Sequence, residues 1–269
     1  MSARGFIRVA AAAIGAATLA ASGARGQSIA DRVARVSDGT VRMSFAVRPD
    51  ICGSGNSIWR QGGRGRMSWD NDRVSRDIEW EDDCSHGPGR LVVDRHRGEI
   101  TDVRFYVGGH WRPAGSDVTD LGTVPAREVA DYLLSLAQTE RGSMGEKAIL
   151  PATLVDSADV YPPLIKLARN DRLPRSTRTQ AVFWVGQAAG ETATRGLSDI
   201  VVDNDVDREV REQAVFALSQ RPRDQGIPAL IAIAKTNKDP EIRKKAMFWL
   251  GQSGDPRALD LFEEILTRK

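Results

Sequence analysis

Side chains suited to acid–base chemistry are scarce in this chain of 269 residues. Its three histidines, His86, His96 and His110, all lie in charged or glycine-rich stretches of the first half. For that reason no Ser-His-Asp triad can be assigned around any of them. An enzyme with its chemistry around these histidines is therefore the alternative hypothesis. A pocket that joins two of them to a carboxylate would favour it.

Two further patterns resemble functional motifs but lack their defining residues. Asp203–Asp207 begins like a calcium loop, yet an EF-hand needs glycine at its sixth position and glutamate at its twelfth. Arg208 and Ala214 stand at those positions. Gly251–Gly254 lacks the Gly-x-Ser-x-Gly pattern of a hydrolase elbow. We therefore predict no catalytic residue, no bound metal and no cofactor.

The charge balance argues against a nucleic-acid partner. The chain has 38 basic and 36 acidic residues, which gives a formal net charge of +2. Arg4, Arg8 and Arg25 lie in the first 26 residues, which hold no acid, so the rest of the chain carries −1. Binding to nucleic acid depends on a basic surface that displaces counterions. We therefore predict no nucleic-acid partner.

The N-terminus has the pattern of a secretory signal peptide. Arg4 and Arg8 form the charged region, Val9–Ala21 is an apolar run, and Ala24–Gly26 is a small-residue exit. The alternative is a membrane anchor, but 13 apolar residues fall short of the roughly 20 that span a bilayer. We predict cleavage before Gln27, export to the periplasm or extracellular space, and no stable membrane insertion afterwards.

Export would place the two cysteines in a compartment where they can form a disulfide. Cys52 and Cys84 are the only ones in the chain, and a secretory compartment permits disulfides. A bridge would close a loop of about 30 residues and stabilise the fold by roughly 3 kcal/mol on the chain-entropy model. The alternatives are two free buried thiols, or a Cys–His metal site that includes His86 but lacks a second Cys-x-x-Cys pair. We predict the disulfide.

Residues 27–124 indicate a small β-rich module. Val41, Met43, Phe45 and Val47 alternate with polar residues, as in a half-buried strand. The remaining expectations are a short helix at 28–36, a glycine-rich loop at 53–66, a strand at 75–81, a hairpin at 90–107 that turns at 97–99, and an edge strand at 118–124. A connecting helix over 125–142 follows, with Pro125 at its first position.

The second half, residues 143–269, repeats itself. Three segments of 11 residues align without gaps around Ala181, Ala214 and Ala246, at spacings of 33 and 32. A fourth, degenerate copy contains Ala148 and is interrupted by Pro151. Each copy continues into a second apolar helix, marked by the pairs Leu164 and Leu167, Leu197 and Ile200, Leu230 and Ile233, and Phe262 and Ile265. Repetition at this period predicts a solenoid of four helix pairs.

Aromatic residues share registers within these units. Phe183, Phe216 and Phe248 occupy one register, and we predict that they are core residues. Trp184 and Trp249 share the next position. They form either a ledge for a partner or part of the core, and core packing is the favoured interpretation.

These units resemble HEAT-like repeats, specifically the short type named after phycobilisome lyases, in an exported bacterial form. The resemblance implies a fold and seldom an activity. The family includes phycobilin lyases and deoxyhypusine hydroxylases, and the hydroxylases hold iron with His-Glu pairs on successive repeats. The repeats of this chain contain no histidine, so that site is not carried over. A lyase or oxidoreductase function inherited from the family is a weak form of the enzyme alternative.

The sequence therefore predicts a mainly α fold, in which a C-terminal α-solenoid of HEAT-like helix pairs follows a small β-rich module. The predicted function is non-catalytic binding or scaffolding of another protein in the cell envelope. Solenoids usually bind along the second helix of each unit. The candidate contacts on those helices are Lys166, Arg169, Asp199, Lys235, Asp260 and Glu263.

Overall fold

The computed structural model describes residues 27–55, 57–60, 66–68, 77–80, 83–140, 143–188 and 190–267. The predicted signal peptide, residues 1–26, lies outside the described residues. Within the described part of the chain, every helix is too short or too polar to cross a membrane. The architecture is a β-rich N-terminal region followed by a run of helices.

In its described residues, the N-terminal region combines one short helix with nine strands. The largest sheet has four strands in the order β7-β6-β1-β9, in which β9 pairs parallel to β1 and the other pairs are antiparallel. Two smaller sheets have the orders β2-β3-β4 and β5-β8. The elements are α1 (Ile29–Ala34), β1 (Gly39–Phe45), β2 (Ile51–Ser54), β3 (Ser57–Arg60), β4 (Arg66–Ser68), β5 (Ile78–Glu79), β6 (Gly89–His96), β7 (Glu99–Val107), β8 (His110–Trp111) and β9 (Val118–Thr123).

The predicted hairpin is present and turns tightly between β6 and β7. Arg97 and Gly98 both adopt positive φ, at 52° and 82°. Two consecutive left-handed residues form the turn whose twist matches that of the flanking strands. Glu99 already belongs to β7. The apolar pairs Leu91 with Phe105 and Val93 with Val103 then fall in register on the core side.

The expected loop at 53–66 is wrong for most of its described residues, because β2, β3 and β4 form an antiparallel sheet there. Glycine has two different roles in it. A Cβ on Gly53 would lie 2.6 Å from the carbonyl oxygen of Val107, so glycine permits close approach of β2 to β7. Gly55 has φ +57° and forms the turn that leads into β3. Of these two glycines, Gly53 therefore reflects packing between strands, and Gly55 reflects a turn.

The helical region consists of a connecting helix and four helix pairs. The elements are α2 (Ala126–Thr139), α3 (Ser143–Leu154), α4 (Tyr161–Arg169), α5 (Arg175–Gly186), α6 (Glu191–Val202), α7 (Arg208–Ser219), α8 (Arg223–Thr236), α9 (Pro240–Ser253) and α10 (Pro256–Thr267). We number the pairs as units 1 to 4, beginning with α3 and α4. One hydrophobic core runs from the four-stranded sheet through these helices.

Two proline predictions need correction. Pro125 is the N-cap of α2 and not its first helical residue; its carbonyl oxygen accepts a hydrogen bond from the Val129 amide. Pro151 does not interrupt unit 1, because α3 continues through it to Leu154. Thr153, within this last turn, donates its hydroxyl to the Leu150 carbonyl, 2.7 Å away. Burial of this turn in the core holds it helical despite the missing amide hydrogen.

The alanine register is correct in all four units. Ala148, Ala181, Ala214 and Ala246 each have no exposed surface. The second helices of units 1 to 3 also bury their predicted leucines. In unit 4, however, Leu261 is buried and the predicted Ile265 is 43% exposed. Leu261 lies 15 residues after the repeated alanine of its unit, whereas the first buried leucine of each other second helix lies 16 residues after it, so the buried face of α10 is shifted by one residue.

The predicted phenylalanine core is wrong. Phe183 and Phe216 are only half-buried, and Phe248 is 54% exposed. Their neighbours Val182 and Val215 take the core positions instead. The phenylalanine register lies on the helix face beside the core, where adjacent units meet at the surface.

Candidate functional site

Neighbouring units are joined by charged side chains of the first helices. Arg178 of α5 binds the carboxylate of Asp207, at the start of α7. Arg211 of α7 binds that of Asp239, at the start of α9, with 3.3 Å between the atoms. Asp239 also caps α9 by accepting from the Glu241 amide. Burial opposes its ionisation, but this hydrogen bond and the nearby arginines lower the pKa of Asp239 overall. These pairs set the position of each unit relative to the next.

Aromatic side chains near the C-terminal ends of α5, α7 and α9 form a set of two contact groups, one on α5 and one across α7 and α9. We call it the aromatic row. Ring centroids lie 5.0 Å apart for Phe216 and Trp249, and 5.1 Å apart for Phe248 and Trp249. The row consists of Phe183, Trp184, Phe216, Phe248 and Trp249. Trp184 is buried, as the core interpretation predicts, whereas Trp249 is half-buried.

An exposed glutamine follows each phenylalanine of the row four residues later. Gln187, Gln220 and Gln252 hold the same position in units 2, 3 and 4, and all three are exposed. Close helix packing explains why the buried alanine is repeated in every unit. It cannot explain why an exposed glutamine is repeated. Partly exposed aromatic rings are common anchors in protein interfaces, and a glutamine amide both donates and accepts hydrogen bonds. The aromatic row and its glutamines are therefore suited to contact with another polypeptide.

The six predicted contact residues lie on the second helices and divide into two groups. Arg169 pairs with Asp203 of the next unit, and Lys235 binds Glu264 of the next unit at 2.6 Å. These two side chains connect units. All six are exposed, and the four that do not connect units in this way are Lys166, Asp199, Asp260 and Glu263.

A polar cavity lies in the β-rich region. Its volume is about 240 Å³, and it is lined by Thr40, Asp77, Asp94, Arg104, Tyr106, Asp117 and Val118. Arg104 lies at its centre. The guanidinium Nε is 2.9 Å from Asp77, and the other nitrogens reach Asp94 and, at 3.0 Å, Asp102. Lys147 of α3 binds Asp102 at 3.1 Å. The network therefore links the sheet to unit 1.

The electrostatics of this cavity favour a structural role. Burial alone would lower the pKa of Arg104, but hydrogen bonds and charges from Asp94 and Asp77 raise it above its usual value. Burial and the charge of Asp77 raise the pKa of Tyr106, whose hydroxyl lies 3.1 Å from that carboxylate. Arg104 thus stays charged and Tyr106 protonated. These residues were not predicted from the sequence, in which their only signal is the alternation of Asp94, Asp102 and Arg104 with apolar residues.

Among the described residues, the histidines are not brought together with a carboxylate in either of the two cavities that the structure shows. All three are exposed, and His96 pairs through Nδ1 with the exposed carboxylate of Asp38 at 2.9 Å. The Arg104 cavity has no histidine in its lining, and neither does a second cavity between α1 and α2.

The cysteines are joined as a disulfide. Cys52 and Cys84 have their Cα atoms 5.3 Å apart, and the bridge ties β2 to the segment before β6. His86 lies close by, since possible ligand atoms of all three residues fall within 4.8 Å of one another. A metal would need both sulfurs as thiolates, and here they are bonded to each other.

Comparisons with known proteins agree with the helical architecture. Residues 194–269 match the family model described as HEAT repeats. A stretch of 96 residues is 29% identical to a deoxyhypusine hydroxylase from Danio rerio. That stretch is 35% of this chain and 31% of the relative, so the chain spans about a third of that protein's length. Together with the four stacked helix pairs, the match supports HEAT-like repeats in the helical region, with the family match itself limited to residues 194–269.

Proposed function

We propose that this protein is a non-catalytic binding or scaffolding protein of the cell envelope, and that it holds a partner protein on its aromatic row. The observation that best supports this proposal is that Phe and Gln recur in units 2, 3 and 4 at positions outside the core. In a solenoid, a recurring surface residue offers a partner the same contact at each step along the array. The envelope location rests on the signal-like N-terminus.

The aromatic row is favoured over the second helices as the contact surface. Arg169 and Lys235 already bind the neighbouring unit. The four remaining candidates, Lys166, Asp199, Asp260 and Glu263, combine one basic and three acidic residues without a repeated pattern. Half-buried rings can desolvate against a partner at little entropic cost, because their own units already hold them in place.

The test is crosslinking capture from envelope extract with two matched variants. One combines Phe183→Gln, Phe216→Gln and Phe248→Gln, and the control combines Lys166→Ala, Asp199→Ala and Asp260→Ala. We expect the first to lose the captured partner and the second to retain it, with similar circular dichroism for both. Loss of partner capture in the control variant alone would indicate that the partner binds to the second helices. Retention in both would refute the proposal.

An enzyme is the second candidate, and the match to deoxyhypusine hydroxylase is the observation that favours it. Against it, no histidine occurs after His110, so the repeats lack the residue type that holds iron in that family. The measurement is iron content after reconstitution of the purified protein with Fe²⁺. Stoichiometric iron that disappears when His86, His96 and His110 are all replaced would support the enzyme.

A further inference from the structure

The disulfide lies beside a backbone pairing that holds the two cysteines close together without help from the sulfur–sulfur bond. Gly53 and Ser85 each adjoin one of the cysteines, and they form an antiparallel bridge. The Gly53 amide donates to the Ser85 carbonyl oxygen at 3.0 Å, and the Ser85 amide donates to the Gly53 carbonyl oxygen at 2.9 Å. Reduction of Cys52 and Cys84 therefore leaves their two chain segments paired.

Both members of this pairing are buried and pack against β7 and the turn after it. The carbonyl oxygen of Val107 lies where a Cβ on Gly53 would have to be, and the Ser85 backbone lies where a Cβ on Gly108 would have to be. Neither contact involves a sulfur atom. The packing therefore fixes the two segments in the oxidised and in the reduced protein alike.

His86 is brought to the cysteines by the same pairing. In the antiparallel register of the Gly53–Ser85 bridge, His86 lies directly opposite Cys52, and residues opposite each other share a face. The possible ligand atoms of Cys52, Cys84 and His86 all fall within 4.8 Å of one another. Two ligand atoms of a tetrahedral zinc ion lie about 3.8 Å apart at the usual bond lengths. Small side-chain rotations therefore suit the three residues to one cation once the sulfurs are separate thiolates.

The bridge is open to a reductant on one side only. Cys84 is exposed, whereas Cys52 is 1% exposed. A thiolate of a dithiol reductant therefore attacks the Cys84 Sγ and forms a mixed disulfide, while the bond to the Cys52 Sγ breaks and its electron pair leaves on the Cys52 sulfur, which takes up a proton. The second thiol of the reductant then displaces Cys84, and the reductant departs as its own disulfide. Two electrons and two protons pass to the cysteines.

We infer that Cys52, Cys84 and His86 form a redox-gated site for a soft or borderline divalent cation such as Zn²⁺, which is closed in the disulfide and opened by reduction with a dithiol. On binding, the two thiols lose their protons, the thiolates balance the charge of the cation, and the neutral imidazole is the third ligand. Three protein ligands leave a fourth tetrahedral position open. The inference is separate from the proposed function, because none of the three residues belongs to the aromatic row.

Titration with Co²⁺ tests the site in the full-length protein, reduced by a dithiol that is then removed without oxygen. We expect equimolar binding with thiolate-to-cobalt charge-transfer absorption in the near ultraviolet, reversed by Zn²⁺ and missing from the unreduced protein. His86→Ala should raise the dissociation constant at least about tenfold, because even the outer partners of metal ligands contribute that much. His96→Ala is the matched control, since His96 is an exposed histidine of the same region. It should leave the dissociation constant unchanged.

Hydrogen exchange tests whether the site is already in place before the metal binds. The amides of Gly53 and Ser85 should stay protected after reduction, because their pairing does not depend on the disulfide. A reduced wild-type protein without charge-transfer absorption would overturn the inference. It would equally be overturned by an unchanged affinity in His86→Ala, by an equal loss in His96→Ala, or by loss of protection at Gly53 and Ser85 on reduction.

Discussion

The β-rich region and the solenoid differ in whether their stabilising contacts repeat, although those contacts have similar separations along the chain. In the β-rich region, the Cys52–Cys84 bridge joins residues separated by 32 positions and, like the Arg104 network, has no repeat among the described residues. In the solenoid, the Arg178–Asp207 pair joins residues separated by 29 positions, and an equivalent pair joins the next two units. A non-repeating region must place each long-range contact once, whereas the solenoid reuses one solution. Damage should therefore remain local in the β-rich region and spread along the solenoid.

Leu218→Ala should have the largest effect. Leu218 lies in α7 of unit 3 and has no exposed surface. Loss of its side chain leaves a cavity between units and should cost up to about 5 kcal/mol. Thermal unfolding followed by far-ultraviolet circular dichroism would measure it, and hydrogen exchange should show units 2 and 4 losing protection before the sheet. A loss of protection confined to α7 would contradict a core that is shared between neighbouring units.

Removal of the disulfide should cause the second-largest loss of stability, and this loss should be confined to the β-rich region. Replacing Cys52 and Cys84 by serine should cost about 3–4 kcal/mol in the β-rich region while the solenoid stays helical. Free-thiol labelling of the denatured, unreduced wild-type protein should be near zero. Two reactive thiols would refute the predicted bridge.

The Arg104 network should give the β-rich region a sensitivity to acid. Burial opposes ionisation of Asp102, but hydrogen bonds from Arg104 and Lys147 lower its pKa overall, below the ordinary value of 3.8. Its contribution is therefore complete above that value and is lost as the pH falls through the folded-state pKa. Arg104→Gln should cost about 2 kcal/mol at neutral pH, discounted because the partner carboxylates are partly exposed. The variant should also lose less stability than the wild type as the pH falls below 3.8.

Phe216→Ala should have a smaller effect than its position in the repeat suggests. A fully buried phenylalanine would cost about 3–5 kcal/mol, whereas the half-buried ring should cost about 1–2 kcal/mol. Chemical denaturation beside Leu218→Ala gives a direct comparison. If Phe216→Ala lowered the free energy of unfolding as much as Leu218→Ala does, the phenylalanines would be core residues after all.

Replacement of His86, His96 and His110 together should have the smallest effect. All three are exposed, and surface substitutions usually change the free energy of unfolding by about 0.5 kcal/mol or less. Partner capture should remain intact on the binding proposal. A variant that folds normally but loses capture or turnover would overturn it and return the chemistry to the N-terminal region.

The repeats were predictable because their signal is local and multiplied. The period around Ala181, Ala214 and Ala246 specifies the helix pairs and their stacking without knowledge of any distant contact. The β6–β7 hairpin was predictable for the same reason, since its alternation and turn lie within one short segment. The loop assigned to 53–66 failed because composition cannot reveal that Gly53 is required against Val107.

The sequence by itself determined the division into a β-rich region and a helical repeat array, together with the buried alanines. Only the tertiary structure decided which repeated residues are surface residues. Phe183, Phe216 and Phe248 are repeated as faithfully as the alanines, but a repeat shows that a position matters and not which way it faces. The Arg104 cavity was likewise beyond the sequence. It depends on side chains brought together from separate elements, and that proximity arises only when the elements pack.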